Sequence, residues 1–366
     1  MNLEGIFKNK RVLITGHTGF KGSWLSVWLN SLGAEIEGIS LDIPSAPSNF
    51  EASFMDSFIK SHMVDIRDKE AIKKIINGFQ PDFIFHLAAK ALVRYSYQNP
   101  LEAITTNAIG TANILDIINE LDKEVVAVMI TSDKVYANSE WSWGYRETDL
   151  IGGKDPYSAS KGMAELAIHS YLSSYFHNED SNVRLGIARA GNVIGGGDWA
   201  ADRIVPDSMR AASTKKCLEI RSPNSTRPWQ HLLEPLSGYL CLAANLACSK
   251  DMHGQAYNFG PPADQNYSVE EIITEMSKYW SEIVWKDCSD SNDLYEAGLL
   301  KLSCDKALAD LEWQPTLGFP HTVKMTVDWY KEYYANGDNK SMLDFTLDQI
   351  LEYTDLATSK KIKWAL

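Results

Sequence analysis

The first half of the chain alternates between short apolar runs and longer segments whose apolar residues recur at helical spacing. The apolar runs occupy residues 11–15, 35–41, 82–88, 125–130 and 183–188, and the helical pattern covers residues 22–33, 69–79, 100–121 and 155–175. Short strands that alternate with helices predict βαβ units and a parallel sheet, and nearly continuous apolar strands indicate that both faces of the sheet are covered. We therefore predict an α/β fold with a doubly wound parallel sheet.

The alternation weakens after about residue 190. The pattern there predicts helices over residues 204–213, 236–248, 269–280, 306–311 and 346–353, with a strand near 282–287. We predict one domain over residues 1–190, with part of 225–260 packing back onto it. A smaller mixed α/β domain is predicted over 191–335. To the tail, residues 336–366, the sequence assigns no role.

Composition narrows the class of protein. The chain has 366 residues, 45% of them apolar, a net charge of -13 and five scattered cysteines. The negative charge argues against nucleic acid and anionic membranes as partners. The cysteines form no CxxC motif and no Cys/His cluster, so we expect reduced thiols in the cytoplasm and no metal site. The N-terminus does not resemble a signal peptide, and no stretch is apolar enough to span a membrane.

Three glycines separate the first predicted strand from the first predicted helix. In "VLITGHTGFKGSW" they are Gly16, Gly19 and Gly22. Glycines in this context allow a tight turn and let a pyrophosphate approach the N-terminus of the helix, where free N–H groups attract anions. The motif predicts a dinucleotide-binding site.

Two acidic residues follow the next strands. Asp42 can accept hydrogen bonds from an adenosine ribose, or it can be a solvated loop residue. No Arg or Lys lies between positions 38 and 48, which favours NAD over NADP. Asp65 and Ile66 can lie beside the adenine, although Asp65 can instead cap the following helix.

Tyr157 and Lys161 are four residues apart in a predicted helix and therefore share one face. The lysine ammonium can lower the pKa of the phenol, so that a phenolate takes a proton from a sugar hydroxyl while hydride leaves for NAD⁺. Ser132 or Thr131, at the end of the preceding strand, can hydrogen-bond the same oxygen.

These motifs, with "HLAA" at a strand end and Asn107 in "TTNAIGT", resemble the extended short-chain dehydrogenase/reductase family. The resemblance covers roughly residues 8 to 330. It implies a Rossmann-type domain that binds NAD or NADP, a smaller domain for a nucleotide sugar, and a homodimer or homotetramer built on helices such as 100–121 and 155–175. The cofactor contacts expected from motif and resemblance are Gly16, Thr18, Gly19, Phe20, Gly22, Asp42, Asp65, Ile66, Leu87, Ala88, Ala89, Asn107, Tyr157 and Lys161.

The segment "TSDKVY" narrows the resemblance further. Sugar-nucleotide 4,6-dehydratases carry Thr-Asp-Glu at this strand end, whereas this chain carries Ser132, Asp133 and Lys134. Together with "ARAGNVIGGGDW" and "RPWQHLLEPLSGYL", the segment is similar to the 4,6-dehydratases that act on CDP-glucose. The resemblance implies oxidation at C4, loss of water across C5 and C6, return of hydride to C6, and a role in deoxysugar synthesis for surface polysaccharide.

The roles of Asp133 and Lys134 stay open. Lys134 can be a neutral base with Asp133 as the protonated acid, or Asp133 can be the carboxylate base with Lys134 as the ammonium acid. Lys134 can also be only structural.

Arginine guanidinium groups bind diphosphates through paired hydrogen bonds. By resemblance, the candidate substrate contacts are Asn192, Arg203, Arg221 and Arg227, of which Arg227 is favoured for the pyrophosphate. An arginine taken alone is more often a surface residue than a ligand. Two alternative functions remain: a dehydratase or epimerase for a GDP or UDP sugar, and a non-catalytic protein that senses dinucleotide.

Overall fold

A computed structural model describes residues 2–178, 180–262, 264–289, 300–336 and 341–366. The strands in chain order are β1 Arg11–Thr15, β2 Glu35–Ser40, β3 Lys60–Met63, β4 Phe83–His86, β5 Val125–Ile130, β6 Val183–Ala190, β7 Val193–Ile194, β8 Leu218–Ile220, β9 Thr226–Arg227, β10 Gln230–His231, β11 Ala256–Phe259, β12 Tyr267–Ser268 and β13 Trp285–Asp287.

A seven-stranded sheet forms the centre of the molecule. Its strand order is β11-β6-β5-β4-β1-β2-β3, and each neighbouring pair is parallel. The order reverses direction at β1, which is the pattern of a doubly wound sheet. The predicted fold class is confirmed.

Helices cover both faces of this sheet and build the smaller second part. They are α1 Leu3–Phe7, α2 Phe20–Ser31, α3 Asn49–Ala52, α4 Lys69–Phe79, α5 Val93–Gln98, α6 Pro100–Ile104, α7 Gly110–Asn119, α8 Pro156–Tyr171, α9 Ile204–Ser213, α10 Leu233–Cys248, α11 Val269–Tyr279, α12 Asp305–Leu311, α13 Phe319–Asn336 and α14 Leu343–Ser359. Within the described residues, no helix combines the length and the apolar character needed to cross a membrane.

The predicted helices are present, and the two largest differences concern residues 100–121 and 319–336. The segment predicted as one helix over 100–121 is α6 and α7 joined by a five-residue π turn, Thr105–Ile109. Helix α13 was not predicted at all, although it buries Trp329 and Tyr330 in the core. Its aromatic and β-branched residues have low helix propensity, and tertiary packing stabilises the helix instead.

Two elements from the second half of the chain pack back onto the central sheet. Strand β11 pairs with β6 at the edge of the sheet, and α10 packs on β5 and β6. The tail also packs on the first half, because α14 lies against α2. Trp28 of α2 contacts Tyr353 and Trp364 edge to face. Residues 337–340 of the predicted tail lie outside the described residues, and the predicted domain boundaries stay a prediction.

Candidate active site

The glycine motif forms the turn between β1 and α2. Gly16 has a φ of +77°, a conformation that favours glycine, and a Cβ there would lie 2.8 Å from the backbone nitrogen of Ala88. A Cβ on Gly22 would lie 2.1 Å from the carbonyl oxygen of Gly16. The close approach of these backbone segments therefore requires glycine at both positions.

The start of α2 fits an anionic group. Gly19 is the N-cap and supplies no side-chain cap. Among the described residues, no acceptor is hydrogen-bonded to the backbone N–H groups of Phe20, Lys21 and Gly22. Unsatisfied N–H groups at the positive end of a helix are the arrangement that binds a pyrophosphate. The residues present therefore fit a dinucleotide.

Thr18 and Asp42 join the glycine turn to the end of β2. The Thr18 hydroxyl donates to the carbonyl oxygen of Asp42 at 2.7 Å. The Asp42 carboxylate is exposed and can accept hydrogen bonds from a ribose. Thr18 therefore holds the glycine turn to the segment after β2, a structural role that the glycine motif did not predict.

The segment after β3 is fixed by internal contacts. The Asp65 carboxylate accepts two-pronged hydrogen bonds from Arg67, which lowers its pKa. Asp68, rather than Asp65, caps α4. Ile66 packs on Gly110, where an added Cβ would lie 2.5 Å from its Cγ2 atom.

The segment after β4 lies directly beside the glycine turn. Thr15 accepts hydrogen bonds from the backbone N–H groups of Leu87, through its carbonyl, and of Ala88, through its hydroxyl. Ala89 continues this segment. The side chain of Asn107 fixes its far end by accepting from the Lys90 N–H at 2.8 Å and donating to the Lys90 carbonyl.

Tyr157 and Lys161 lie on the buried face of α8. Asp155 caps this helix by accepting from the backbone N–H of Tyr157. The Lys161 Nζ atom lies 3.5 Å from the carbonyl oxygen of Ile130 at the end of β5. Burial lowers the pKa of Lys161 to about 8, and nearby Glu165 opposes this shift.

The pKa of Tyr157 differs from the sequence-based expectation. Burial raises it to about 12, and a hydrogen bond with Ser132 opposes the rise. We expected Lys161 to lower this pKa, but the charge that lowers it is that of Arg203, and desolvation of the phenolate by burial is the larger effect. Of the two expected hydrogen-bond partners, the structure selects Ser132, because Thr131 donates to Glu165 instead.

Ser132, Asp133 and Lys134 begin a single 3₁₀ turn, Asp133–Val135, directly after β5. The Ser132 hydroxyl donates to the buried Asp133 carboxylate at 2.9 Å and accepts from the Lys134 N–H at 3.2 Å. Within the described residues, no ion pair to the Lys134 amine is found. Asp133 and Lys134 therefore do not neutralise each other, although they are adjacent.

Sequence reasoning missed Lys21, which lies inside the glycine motif. Its Nζ atom donates to the Tyr239 hydroxyl at 3.4 Å and interacts electrostatically with Asp133 and Lys161. Burial lowers the pKa of Lys21 to about 8. The sequence did contain one signal for this residue, because Lys21 lies in the first turn of α2. This turn follows β1, whose carboxyl end lies at the same edge of the sheet as those of β4 and β5.

The predicted substrate arginines divide into two groups. Arg203 donates to Asp198 at 2.8 Å, and its positive charge opposes the rise in the pKa of Tyr157. Arg221 lies 3.8 Å from Asp202, which also pairs with Arg94 at 3.5 Å.

The other two predicted substrate residues lie on separate elements. Arg227 lies on β9 and donates to the carbonyl of Thr226. Asn192 lies between β6 and β7. His86 is a core residue, because Thr15 and Thr111 bond both of its ring nitrogens.

The fold and this edge of the sheet define the class of protein. A glycine turn that fits a dinucleotide, a buried Tyr–Lys pair on α8 and an acid–amine segment after β5 are the arrangement expected of a dehydrogenase-type enzyme of the extended short-chain class. A family model described as GDP-mannose 4,6 dehydratase matches residues 13–326, and the chain belongs to this family.

Individual relatives agree with this membership. The chain is 42% identical to the CDP-glucose 4,6-dehydratase of Salmonella typhimurium strain LT2, over 97% of this chain and 99% of that one. A solved epimerase from Methanothermobacter thermautotrophicus has a TM-score of 0.78 at 22% identity and covers 92% of this chain and 96% of its own. The dTDP-glucose 4,6-dehydratase of Bacillus anthracis in complex with NAD has a TM-score of 0.73 at 19% identity, covering 89% and 98%. The similarity inferred from the motifs is confirmed.

Proposed function

We propose that the protein is an NAD-dependent hydro-lyase that converts CDP-glucose to CDP-4-dehydro-6-deoxyglucose. The observation that carries the proposal is the near full-length similarity to the Salmonella CDP-glucose 4,6-dehydratase. The Asp133–Lys134 segment beside Tyr157 supports it, because an epimerase would not need an acid and an amine at this strand end.

The cofactor would be held by the turn between β1 and α2. The free N–H groups of α2 would bind its pyrophosphate, and Asp42 would accept hydrogen bonds from its adenosine ribose. Bound NAD⁺ would accept the hydride from C4, return it to C6 and add a positive charge to the site.

In the oxidation step, Tyr157 takes the proton of the sugar 4-hydroxyl. Lys161 assists by favouring the phenolate through its charge, and Ser132 assists when its hydroxyl turns from Asp133 to donate to the phenolate oxygen. Because burial opposes ionisation of Tyr157, we infer that the phenolate forms only when further positive charge enters the site.

In the elimination step, the new ketone at C4 acidifies the hydrogen at C5. One member of the Asp133–Lys134 pair removes this proton, and the other protonates the departing 6-hydroxyl, so that water leaves. Hydride addition at C6 and proton return to C5 then complete the product. Both assignments of base and acid are compatible with the geometry, and the variants described in the Discussion separate them.

The substrate diphosphate would be bound by arginines of the second half. We assign the pyrophosphate to Arg227 and neighbouring contacts to Asn192, Arg203 and Arg221, on the resemblance to dehydratases of this family. Of these residues, Arg203 is the one that interacts electrostatically with Tyr157. The product would enter deoxysugar biosynthesis.

A homodimer or homotetramer is also proposed. Helices around α8 expose large apolar side chains to solvent, a combination typical of an interface. These side chains are Tyr97, Leu101, Ile109, Met163, Leu166 and Tyr175. All five cysteines are free thiols, which supports a cytoplasmic location.

The direct test is turnover of CDP-glucose with NAD⁺ in deuterated water, followed by mass spectrometry and NMR of the sugar. A 4-keto-6-deoxy product with solvent deuterium at C5 is expected. UDP-glucose, dTDP-glucose and GDP-mannose serve as matched substrates under the same conditions. Turnover of one of these without turnover of CDP-glucose would overturn the substrate assignment, and no turnover of any would favour a dinucleotide-sensing protein.

A further inference from the structure

A fully buried ion pair lies behind the candidate catalytic residues. The carboxylate of Glu165, on α8, accepts from both Nε and Nη2 of Arg189, on β6, with the Nε bond at 2.8 Å. The two side chains are 0% and 1% exposed. Glu165 follows Tyr157 and Lys161 at successive intervals of four, so all three lie on one face of α8.

This ion pair bonds to the chain on both sides of the Ser132–Asp133–Lys134 segment. Before the segment, the Thr131 hydroxyl donates to Glu165 at 2.6 Å. After it, Nη1 of Arg189 donates to the Tyr136 hydroxyl at 2.8 Å, and the guanidinium lies 4.9 Å from the centre of the Tyr136 ring. The 3₁₀ turn that carries Asp133 and Lys134 is therefore anchored at each end to the same two charges.

The Tyr136 anchor continues into the second half of the chain. Its hydroxyl donates to the Asn258 side chain at 2.8 Å, and Asn258 donates to the carbonyl oxygens of Tyr145 and Ser303. Arg189 also donates to the carbonyl of Glu147. The ion pair thus has a hydrogen-bond partner for most of its donors and acceptors.

Such a pair contributes fixed geometry more than net stability. The desolvation of two buried charges offsets most of their attraction, whereas their hydrogen bonds hold neighbouring groups in one arrangement. A single 3₁₀ turn has little rigidity of its own. The position of Asp133 and Lys134 relative to Tyr157 and Lys161 therefore depends on side chains outside the turn.

We propose that Glu165 and Arg189 are positioning residues that act through Thr131 and Tyr136. They hold residues 132–134, the elimination segment, in a fixed position relative to Tyr157 and Lys161, the oxidation pair. The inference rests on the proposed dehydratase function for its catalytic consequence. Its structural consequence, restraint of residues 131–136, is independent of the substrate.

The test removes the anchors and leaves the ion pair intact, because an unpaired buried charge could prevent folding. Thr131→Val and Tyr136→Phe each delete one hydroxyl with little change in shape. Thr131→Ser keeps the hydroxyl and serves as the conservative rescue. Thr326→Val and Tyr257→Phe are the controls, because they delete a buried hydroxyl that bonds to Thr322 and a partly buried hydroxyl that bonds to Asp310.

Two measurements are made on each variant. Backbone hydrogen–deuterium exchange of residues 131–136 is expected to increase severalfold in the two anchor variants and to stay at the wild-type rate in Thr131→Ser and both controls. In single turnover with CDP-glucose, elimination is expected to slow about tenfold while oxidation keeps its wild-type rate. Reduced nicotinamide would then accumulate transiently, and its absorbance would report this.

Wild-type exchange in both anchor variants would overturn the positioning role, whatever the substrate. An equal loss of oxidation and elimination would also overturn it, because it would indicate a merely structural effect. Absence of turnover by the wild-type protein would instead contradict the proposed function, and the exchange measurement would still decide the positioning role.

Discussion

The two sets of catalytic candidates are held in the protein by different means. Tyr157 and Lys161 project from a sixteen-residue helix, α8, whose own backbone hydrogen bonds fix their spacing. Ser132, Asp133 and Lys134 lie at a three-residue 3₁₀ turn whose ends are tied to Glu165 and Arg189. Regular secondary structure thus supports the oxidation pair, and tertiary contacts support the elimination segment.

The difference has a consequence for mutational sensitivity. A catalytic residue on a rigid helix loses its contribution to turnover when its own functional group is removed. A catalytic residue on a short turn also loses it when a distant side chain that holds the turn is removed. Changes in the oxidation pair should therefore act locally, and changes around the turn should act through position.

The largest effect is expected for Tyr157→Phe. This change removes the only proposed acceptor of the 4-hydroxyl proton, and loss of general-base catalysis costs about a thousandfold in turnover. Because the phenylalanine keeps the buried ring, the midpoint of thermal unfolding should stay close to that of the wild type. Formation of reduced nicotinamide on mixing with CDP-glucose measures the step directly. Retention of wild-type oxidation would contradict the assignment of Tyr157 as the base.

A somewhat smaller loss, about a hundredfold, is expected for Lys134→Met and Asp133→Asn, because each removes one proton-transfer group while oxidation continues. Reduced nicotinamide should therefore accumulate in both. The variant that has lost the base should also fail to exchange the C5 hydrogen with deuterated solvent, whereas the variant that has lost the acid should still exchange it. Wild-type turnover in Lys134→Met would leave Lys134 a structural role only.

The cofactor turn and the oxidation pair could largely be predicted from the sequence. The glycine spacing, the i,i+4 separation of Tyr157 and Lys161 and the alternation of strands and helices are local patterns, and local patterns survive folding. The sheet and its cofactor turn could therefore be predicted. The raised pKa of Tyr157 could not, because burial depends on packing by distant segments.

The elimination segment could be predicted from the sequence only in part. The letters "TSDK" marked the segment, but its anchors lie at Glu165 and Arg189, 34 and more residues away in sequence. Lys21 and Tyr239 meet across 218 residues. Contacts of this kind follow from the topology of the sheet and not from spacing, so pattern analysis could not place them.

The comparison extends to two of the proposed substrate-binding arginines, Arg203 and Arg221, for which the expected effects are nearer tenfold. Arg203 is fixed by Asp198 and its charge reaches Tyr157, whereas Arg221 is exposed and only loosely paired. Arg203→Lys should raise KM for CDP-glucose about tenfold, because lysine cannot reproduce the planar fork. Arg221→Lys is the matched control and should change KM by less. Steady-state kinetics would contradict this order if the Arg221 variant were the more impaired.

The last effect concerns stability rather than turnover, and it has the opposite sign to the effect on activity. Burial lowers the pKa of Lys161 from 10.5 to about 8, so at neutral pH the folded protein holds a charge that it disfavours. Lys161→Met removes this cost and should raise the free energy of unfolding by roughly 3 kcal/mol, while it lowers turnover.

The pH dependence of that difference follows from proton binding. Between pH 8 and 10.5 the unfolded chain binds more protons at this lysine than the folded protein does, so the wild type gains stability as the pH rises. The variant lacks this gain, and the advantage of Lys161→Met should therefore be full below pH 8 and shrink through the window. Urea unfolding of both proteins on either side of the window measures it, with Lys278→Met, an exposed helix lysine paired with Glu275, as the control. An advantage that stayed constant with pH would indicate that better packing, and not the buried charge, was responsible.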